Sequence, residues 1–160
     1  MSNKRTDYIT WDEYFMGVAL LSAKRSKDPS TQVGACVVNQ DKRIIGIGYN
    51  GFPNGCSDDI FPWGKGNSNE LLNKYQYVVH AEANAILNSS GNIKGSTVYV
   101  TLFPCNECAK LLIQSGVKHI VYMTEIHKGT VSDIASKKML DAAGITYEKM
   151  PEIEITLTNK

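Results

Sequence analysis

His80-Ala81-Glu82-Ala83-Asn84-Ala85-Ile86-Leu87 and, further on, Thr97-Val98-Tyr99-Val100-Thr101-Leu102-Phe103-Pro104-Cys105-Asn106-Glu107-Cys108 decide how this chain is read. The first stretch is made of good helix formers, with Gly91 placed to stop them. In the second, a strand over residues 97–101 runs into Pro104, a residue suited to the first position of a helix. That helix carries Cys105, Cys108, Ala109, Leu111, Leu112 and Ile113 and stops at Gly116. Downstream the same alternation repeats: a strand over 117–123, a helix over 131–143 closed by Gly144, a short strand over 145–147, and a possible extra strand over 153–157. Upstream, Thr10 with Glu13 three residues on makes a capping box that starts a helix ending before Asp28-Pro29. Residues 33–38 and 43–49 are β-branched-rich runs joined by Asn39-Gln40-Asp41-Lys42, which reads as a hairpin. One helix, two strands and three helix–strand alternations predict an α/β fold, a mixed sheet sandwiched by helices.

One His and two Cys at this spacing predict a zinc site with three protein ligands, His80, Cys105 and Cys108, and a fourth position left open for water. Both thiols fall in the first turn of a helix, where free N–H groups and the dipole favour thiolates. Two thiolates cancel the formal charge of the ion, so the site needs a base nearby, and Glu82 is the carboxylate tied in sequence to a ligand. Two blander readings compete. A redox dithiol would leave His80 and Glu82 without a role, and a structural zinc ribbon would need a fourth protein ligand. Cys36 lies in an apolar strand and reads as a small hydrophobe, and Cys56 lies in a polar loop.

Composition sets the outer limits. At 160 residues and 42% hydrophobic content the chain fits one domain spanning 1–160. A formal net charge of +1 argues against a nucleic-acid partner, and any anionic ligand must be met by a local cluster. Ser22, Lys24, Arg25, Ser26 and Lys27 form one such cluster, placed in the last turn of the first helix, where cations also simply complement the dipole. There is no apolar run of membrane length and no signal-peptide pattern, so no membrane partner is expected. The cysteine usage suits a reducing compartment, and the cytoplasm is the expected location.

The pattern H-x-E…P-C-x-x-C, in His80, Glu82, Pro104, Cys105 and Cys108, resembles the signature of zinc nucleobase deaminases. The resemblance extends from Trp11 to about Tyr147. SAKRSKDPSTQVGA (22–35), GIGYNGFPNGCSDD (46–59), HAEANAI (80–86) and YVTLFPCNECAK (99–110) are each similar to segments of the deoxycytidylate deaminase family. It implies the cytidine deaminase-like fold, three layers α/β/α around a five-stranded mixed sheet. It also implies a hydrolase acting on a cyclic amidine C–N bond, converting dCMP and water to dUMP and ammonia in pyrimidine nucleotide biosynthesis and so supplying dUMP for thymidylate synthesis.

By the same resemblance His80, Cys105 and Cys108 hold one Zn²⁺ per chain, with Glu82 as the catalytic proton shuttle between water, N3 and the leaving ammonia. Asn50 matches a position that contacts base or sugar, and backbone groups near Ala81 and Leu102-Phe103-Pro104 read the pyrimidine edge. For the monophosphate, Arg25, Ser26 and Lys27 are the expected partners. Gly48, Tyr49, Asn50, Gly51, Asn54 and Gly55 resemble the effector-contacting segment of an allosteric homo-oligomer, a hexamer, activated by dCTP with Mg²⁺ and inhibited by dTTP. Some phage relatives hold a second zinc through a Cys after the first helix and a His in a long insertion; Asp28-Pro29 stands in place of the former and the insertion is missing. A tRNA adenosine deaminase shares HAE and PCxxC, but the near-neutral charge and the SKDP and GYNGFPNG segments favour a free nucleotide. A zinc-dependent interaction module would instead show a fourth protein ligand.

Overall fold

The computed structural model describes residues 1–159. Thr10 caps helix α1 (Trp11–Ala23) through the expected capping box, its hydroxyl accepting from the Glu13 amide while the Glu13 carboxylate accepts from the Thr10 amide. The helix ends at Ala23, earlier than the proline predicts. Lys24 is its C-cap and Arg25, Ser26 and Lys27 lie in the turn beyond it, so they are not a helix-end cluster. Strands β1 (Gly34–Val38) and β2 (Ile44–Tyr49) form the hairpin, and 3₁₀ turns at Glu70–Leu72 and Lys74–Gln76 precede helix α2 (Ala81–Leu87). Then follow β3 (Thr97–Leu102), α3 (Asn106–Gln114), β4 (His119–Thr124), α4 (Val131–Ala142) and β5 (Thr146–Lys149). Residues 153–157 form no strand.

The five strands make one sheet in the order β2-β1-β3-β4-β5. β1 runs antiparallel to both neighbours, whereas β3, β4 and β5 are parallel. Crossovers between adjacent parallel strands keep one hand, which puts α3 and α4 on one face beside α2. There Val37, Val98, Val100, Ala109, Leu112, Ile120 and Leu140 make the larger core cluster. The other face packs Phe15, Met16 and Ala19 of α1 on Cys36, Val38, Tyr99 and Val121. Met150 and Ile153 join this second cluster, so the tail after β5 covers the α1 side of the sheet.

Close helix-to-sheet approach explains the small residues of the first two strands. A Cβ on Gly34 would stand 1.8 Å from the Ala19 carbonyl oxygen of α1. On the opposite face, one on Gly48 would stand 2.4 Å from the Ala85 nitrogen and 2.5 Å from the Ala81 oxygen of α2. Side chains two apart share a face of a strand, and Gly46 meets α2 in the same way, 2.5 Å from the Ala85 oxygen. The glycines of GIGY thus bring α2, and the residues at its start, directly onto β2.

Candidate active site

His80 is the N-cap of α2, with extended φ/ψ of −73° and 157°, and Glu82 sits in the first turn. Residues two apart within a helix diverge by about 200°. Placing the histidine just outside the helix removes that conflict, so its ring and the Glu82 carboxyl approach the same region. The ring caps no backbone amide of α2; its Nδ1 lies 3.4 Å from Cys105 Sγ and 3.5 Å from Cys108 Sγ. Pro104 does not open α3. Cys105 is its N-cap, accepting from the Cys108 amide at 3.5 Å, and the helix begins at Asn106.

His80, Cys105 and Cys108 offer ligand atoms that all lie within 4.8 Å of one another. Zinc bonds nitrogen at about 2.0–2.1 Å and sulfur at about 2.3 Å, so tetrahedral angles require N···S separations of about 3.6 Å. The separations above fit. Cys105 is pulled down to about 4 by the neighbouring Cys108 thiol and by His80, while Cys108 is pushed up. Two adjacent sulfurs with one proton between them carry one negative charge readily and resist a second. A divalent cation is what would hold both as thiolates, so the donor chemistry suits zinc. Glu82 is 4% exposed, and burial raises its carboxyl above the usual carboxylate range even though His80 works in the opposite direction. A carboxyl raised in this way holds a proton more readily than an exposed one, which suits a group that must both take up and return it.

His80, Glu82 and Cys105 border a cleft of about 540 Å³, within the size range of small-molecule sites. Its lining includes Asn50, Ala81, Leu102, Phe103 and Pro104. Arg25, Ser26 and Lys27 do not line it. The Ser26 hydroxyl donates to the Asn50 carbonyl, Arg25 lies over the Tyr49 ring at 5.9 Å, and Lys27 pairs with Asp58. Asn50 is buried with its amide occupied: Nδ2 donates to the Thr31 carbonyl at 2.9 Å, and Oδ1 accepts from the Val33 amide at 2.9 Å. Of the effector segment, Gly48 packs against α2, Gly51 exchanges two backbone hydrogen bonds with Val79, and Gly55 turns the chain with φ of 87°. Gly55 and Lys27 border a second hollow together with Cys56, Ser57, Asp58 and Asp59.

Residues 9–124, more than half the chain, match the family described as the cytidine and deoxycytidylate deaminase zinc-binding region. The chain belongs to that family. The mouse deoxycytidylate deaminase is 55% identical over 147 residues, covering 91% of this chain and 83% of the relative. A probable deoxycytidylate deaminase of Drosophila melanogaster is 53% identical, covering 98% and 80%. Among solved structures, the dCMP deaminase of cyanophage S-TIM5 in complex with dCMP and dUMP is 32% identical. It has a TM-score of 0.68 and coverage of 86% of this chain and 95% of that one. This deaminase therefore has the mixed-sheet, cytidine deaminase-like architecture of its relatives. No helix among the described residues is long and apolar enough to cross a membrane.

Sequence reasoning missed several supports of the site. Ser136, fully buried on α4, donates to the Pro104 carbonyl at 2.9 Å. Ser132 accepts from the Asn106 amide at 3.1 Å and donates to the Asn106 side chain at 2.8 Å. Both serines lie more than twenty residues beyond the cysteines, and no local pattern singles them out. Lys74, which lines the cleft in a buried ion pair with Asp28 of the SKDP segment, likewise belongs to no motif.

Proposed function

We propose that this enzyme hydrolyses dCMP to dUMP and ammonia, supplying dUMP for thymidylate synthesis. The observation that carries the reading is the buried Glu82 carboxyl set beside the convergent His80, Cys105 and Cys108 where His80, Glu82 and Cys105 line a cleft of small-molecule size. The relatives named deoxycytidylate deaminase, and the phage enzyme with bound dCMP and dUMP, support the substrate. Zinc, held by His80, Cys105 and Cys108, supplies an acidified water as the nucleophile when bound.

Glu82 takes the proton of the attacking water and delivers it to N3 of the pyrimidine. Attack makes C4 tetrahedral; as that centre collapses to the carbonyl, Glu82 carries the remaining hydroxyl proton to the exocyclic nitrogen, the C4–N bond breaks and ammonia leaves. The Ala81 N–H, in the first turn of α2, has no acceptor within the helix and is free to meet the pyrimidine edge. The Pro104 carbonyl already accepts from Ser136, so the Leu102–Pro104 backbone is held still rather than left to adapt. Asn50 shapes the sugar side of the cleft. With Arg25, Ser26 and Lys27 off the cleft, the monophosphate is best met by the basic side chains among its lining, Lys65, His127 and Lys128.

The turn bearing Arg25 and Lys27 fits the effector reading better. Lys27 shares its hollow with Gly55 and with Asp58 and Asp59, a grouping of cation and carboxylates suited to a triphosphate carrying Mg²⁺. We place dCTP there as activator and dTTP as inhibitor, in a cytoplasmic homo-oligomer, a hexamer. The deciding experiment measures ammonia release from dCMP and from deoxycytidine under the same conditions, with dCTP and magnesium present. Turnover of dCMP alone is expected. Equal turnover of both would remove the phosphate-reading part, and no turnover of either would remove the substrate assignment. Alanine at Lys65 and at Lys128 should raise KM for dCMP with little change in kcat, as for contacts equal in ground and transition states.

A further inference from the structure

The mechanism above makes no use of Lys74, the cleft's buried lysine. Its side chain is 7% exposed and faces Asp28 at 2%. The ammonium donates to both carboxylate oxygens, at 2.8 and 2.6 Å. The same carboxylate accepts from the amides of Ser30, at 2.8 Å, and Thr31, at 3.2 Å, and receives the Asn50 amide at 3.5 Å. Asn50 in turn grips the Thr31 carbonyl and the Val33 amide. The next residue, Gly51, exchanges backbone hydrogen bonds of 3.1 and 2.8 Å with Val79, which directly precedes His80. Lys74 closes the circuit, since its own carbonyl accepts from the amides of Tyr77 and Val78, both at 2.9 Å.

A buried ion pair is a poor source of stability, because desolvating two charges offsets most of their attraction, and an apolar replacement of both is often neutral. What such a pair gives is geometry. Here it joins the turn at 28–33, the strand end at 50–51 and the approach at 74–79, and the last of these leads straight into the histidine of the metal set. We propose that Asp28 and Lys74 are positioning residues. They fix the wall of the cleft and the backbone that presents His80, so that removing the pair loosens metal retention and turnover while the fold stays intact.

The activity readout of this proposal rests on the dCMP deaminase reading, whereas its metal readout does not. The test uses the zinc-loaded full chain and the double variant Asp28→Asn/Lys74→Met, which leaves no lone buried charge. Melting temperature, the rate of zinc release to excess chelator, and kcat and KM for dCMP are measured. The expected result is a melting temperature within a few degrees of wild type, with zinc release faster and kcat lower by about 10–100-fold, the range seen when supports of metal ligands are removed. Lys74→Arg, which preserves the pair, should restore most of both.

A folded double variant with wild-type zinc release and kcat would overturn the proposal, leaving the pair a plain structural contact. Should the double variant not fold, the same measurements on Lys74→Gln decide. Faster zinc release than in Lys74→Arg supports the proposal, and equal release overturns it. If wild type releases no ammonia from dCMP while zinc release separates the variants as expected, the substrate reading fails and the positioning role stands.

Discussion

His80, Glu82 and Cys105 reach the cleft, with Cys108 beside them, from the starts of two helices, each set supplied by a few neighbouring residues. Asp28, Asn50 and Lys74 reach it from a turn, a strand end and a 3₁₀ turn, with the members of the ion pair 46 positions apart. Both linings are polar, yet only the first repeats a short pattern that chemistry imposes on sequence. The metal set has fixed spacing because a helix start fixes where adjacent donors point. The ion pair has no fixed spacing because two long loops bring its halves together, and loops vary in length. A cleft can thus be half written in motifs and half assembled by tertiary structure, and the two halves should fail differently when altered.

The largest effect is expected at Glu82. Glu82→Gln keeps the shape and the hydrogen-bonding reach of the side chain but removes its capacity to carry a proton. Turnover of dCMP should fall by about 10²–10⁴-fold, the share usually carried by a positioned acid–base group. Zinc content, measured by metal analysis of the purified variant, should stay at wild-type level. Near-normal turnover would move the acid–base role away from the motif and break the comparison at its firmer end.

Next comes the seam between α2 and β2. Gly48→Ala would place a methyl 2.4 Å from backbone nitrogen and 2.5 Å from backbone oxygen of α2, and backbone cannot swing aside as a side chain does. Overpacking of this kind costs about 1–3 kcal/mol or more. Because α2 carries His80 and Glu82 at its start, melting temperature and zinc retention should fall together. A variant that melts normally yet responds abnormally to dCTP would return Gly48 to the effector role that its sequence segment suggests.

The ion pair is sensitive to acid. Burial alone would raise the Asp28 carboxyl, but the Lys74 ammonium and the Ser30 and Thr31 amides outweigh it and hold the group below the usual carboxylate range. A carboxyl depressed in the folded state contributes stability that is full above its unfolded value, about 3.9, and is lost as pH falls through the lower folded value. Stability measured by chemical denaturation should therefore drop as pH is lowered below about 4, and Asp28→Asn should flatten that part of the curve. An unchanged acid limb in Asp28→Asn would show that the pair contributes no net stability in acid.

Much of this molecule was legible in its sequence, and the gaps have a common cause. Alternation of strand-like and helical stretches gave the element order, and the parallel β3-β4-β5 half of the sheet follows from it because crossover helices demand parallel neighbours. The metal set and the placement of His80 at a helix start were legible too. Misreadings occurred where a residue type has two uses. Pro104 reads as a helix opener but precedes the N-cap, because Cys105 takes the capping place. Asp28-Pro29 reads as the end of α1, yet the chain leaves the helix at Ala23 and Asp28 turns inward to Lys74. Gly48, in the segment that resembles an effector contact, also meets with Gly46 a packing demand that the sequence does not announce, because it comes from Ala81 and Ala85 far along the chain. The tail after β5, which reads as a possible extra strand over 153–157, forms none and packs Met150 and Ile153 on the α1 side of the sheet.

The smallest expected effect bears on whether the motif half of the site is self-sufficient. Ser136→Ala removes a buried hydroxyl whose partner, the Pro104 carbonyl, stays buried without it. An unmet buried carbonyl costs about 1–3 kcal/mol, and alanine fits the space, so the variant should fold with a modestly lower melting temperature. Pro104 directly precedes Cys105, the N-cap of α3, so a looser carbonyl should let the Cys105 sulfur wander and speed zinc release a few-fold, with KM for dCMP almost unchanged. If release and kcat both match wild type while stability drops, the PCxxC turn holds its geometry from local structure alone. In that case only the loop-built lining depends on distant supports, and the contrast between the two halves is sharper than the present contacts suggest.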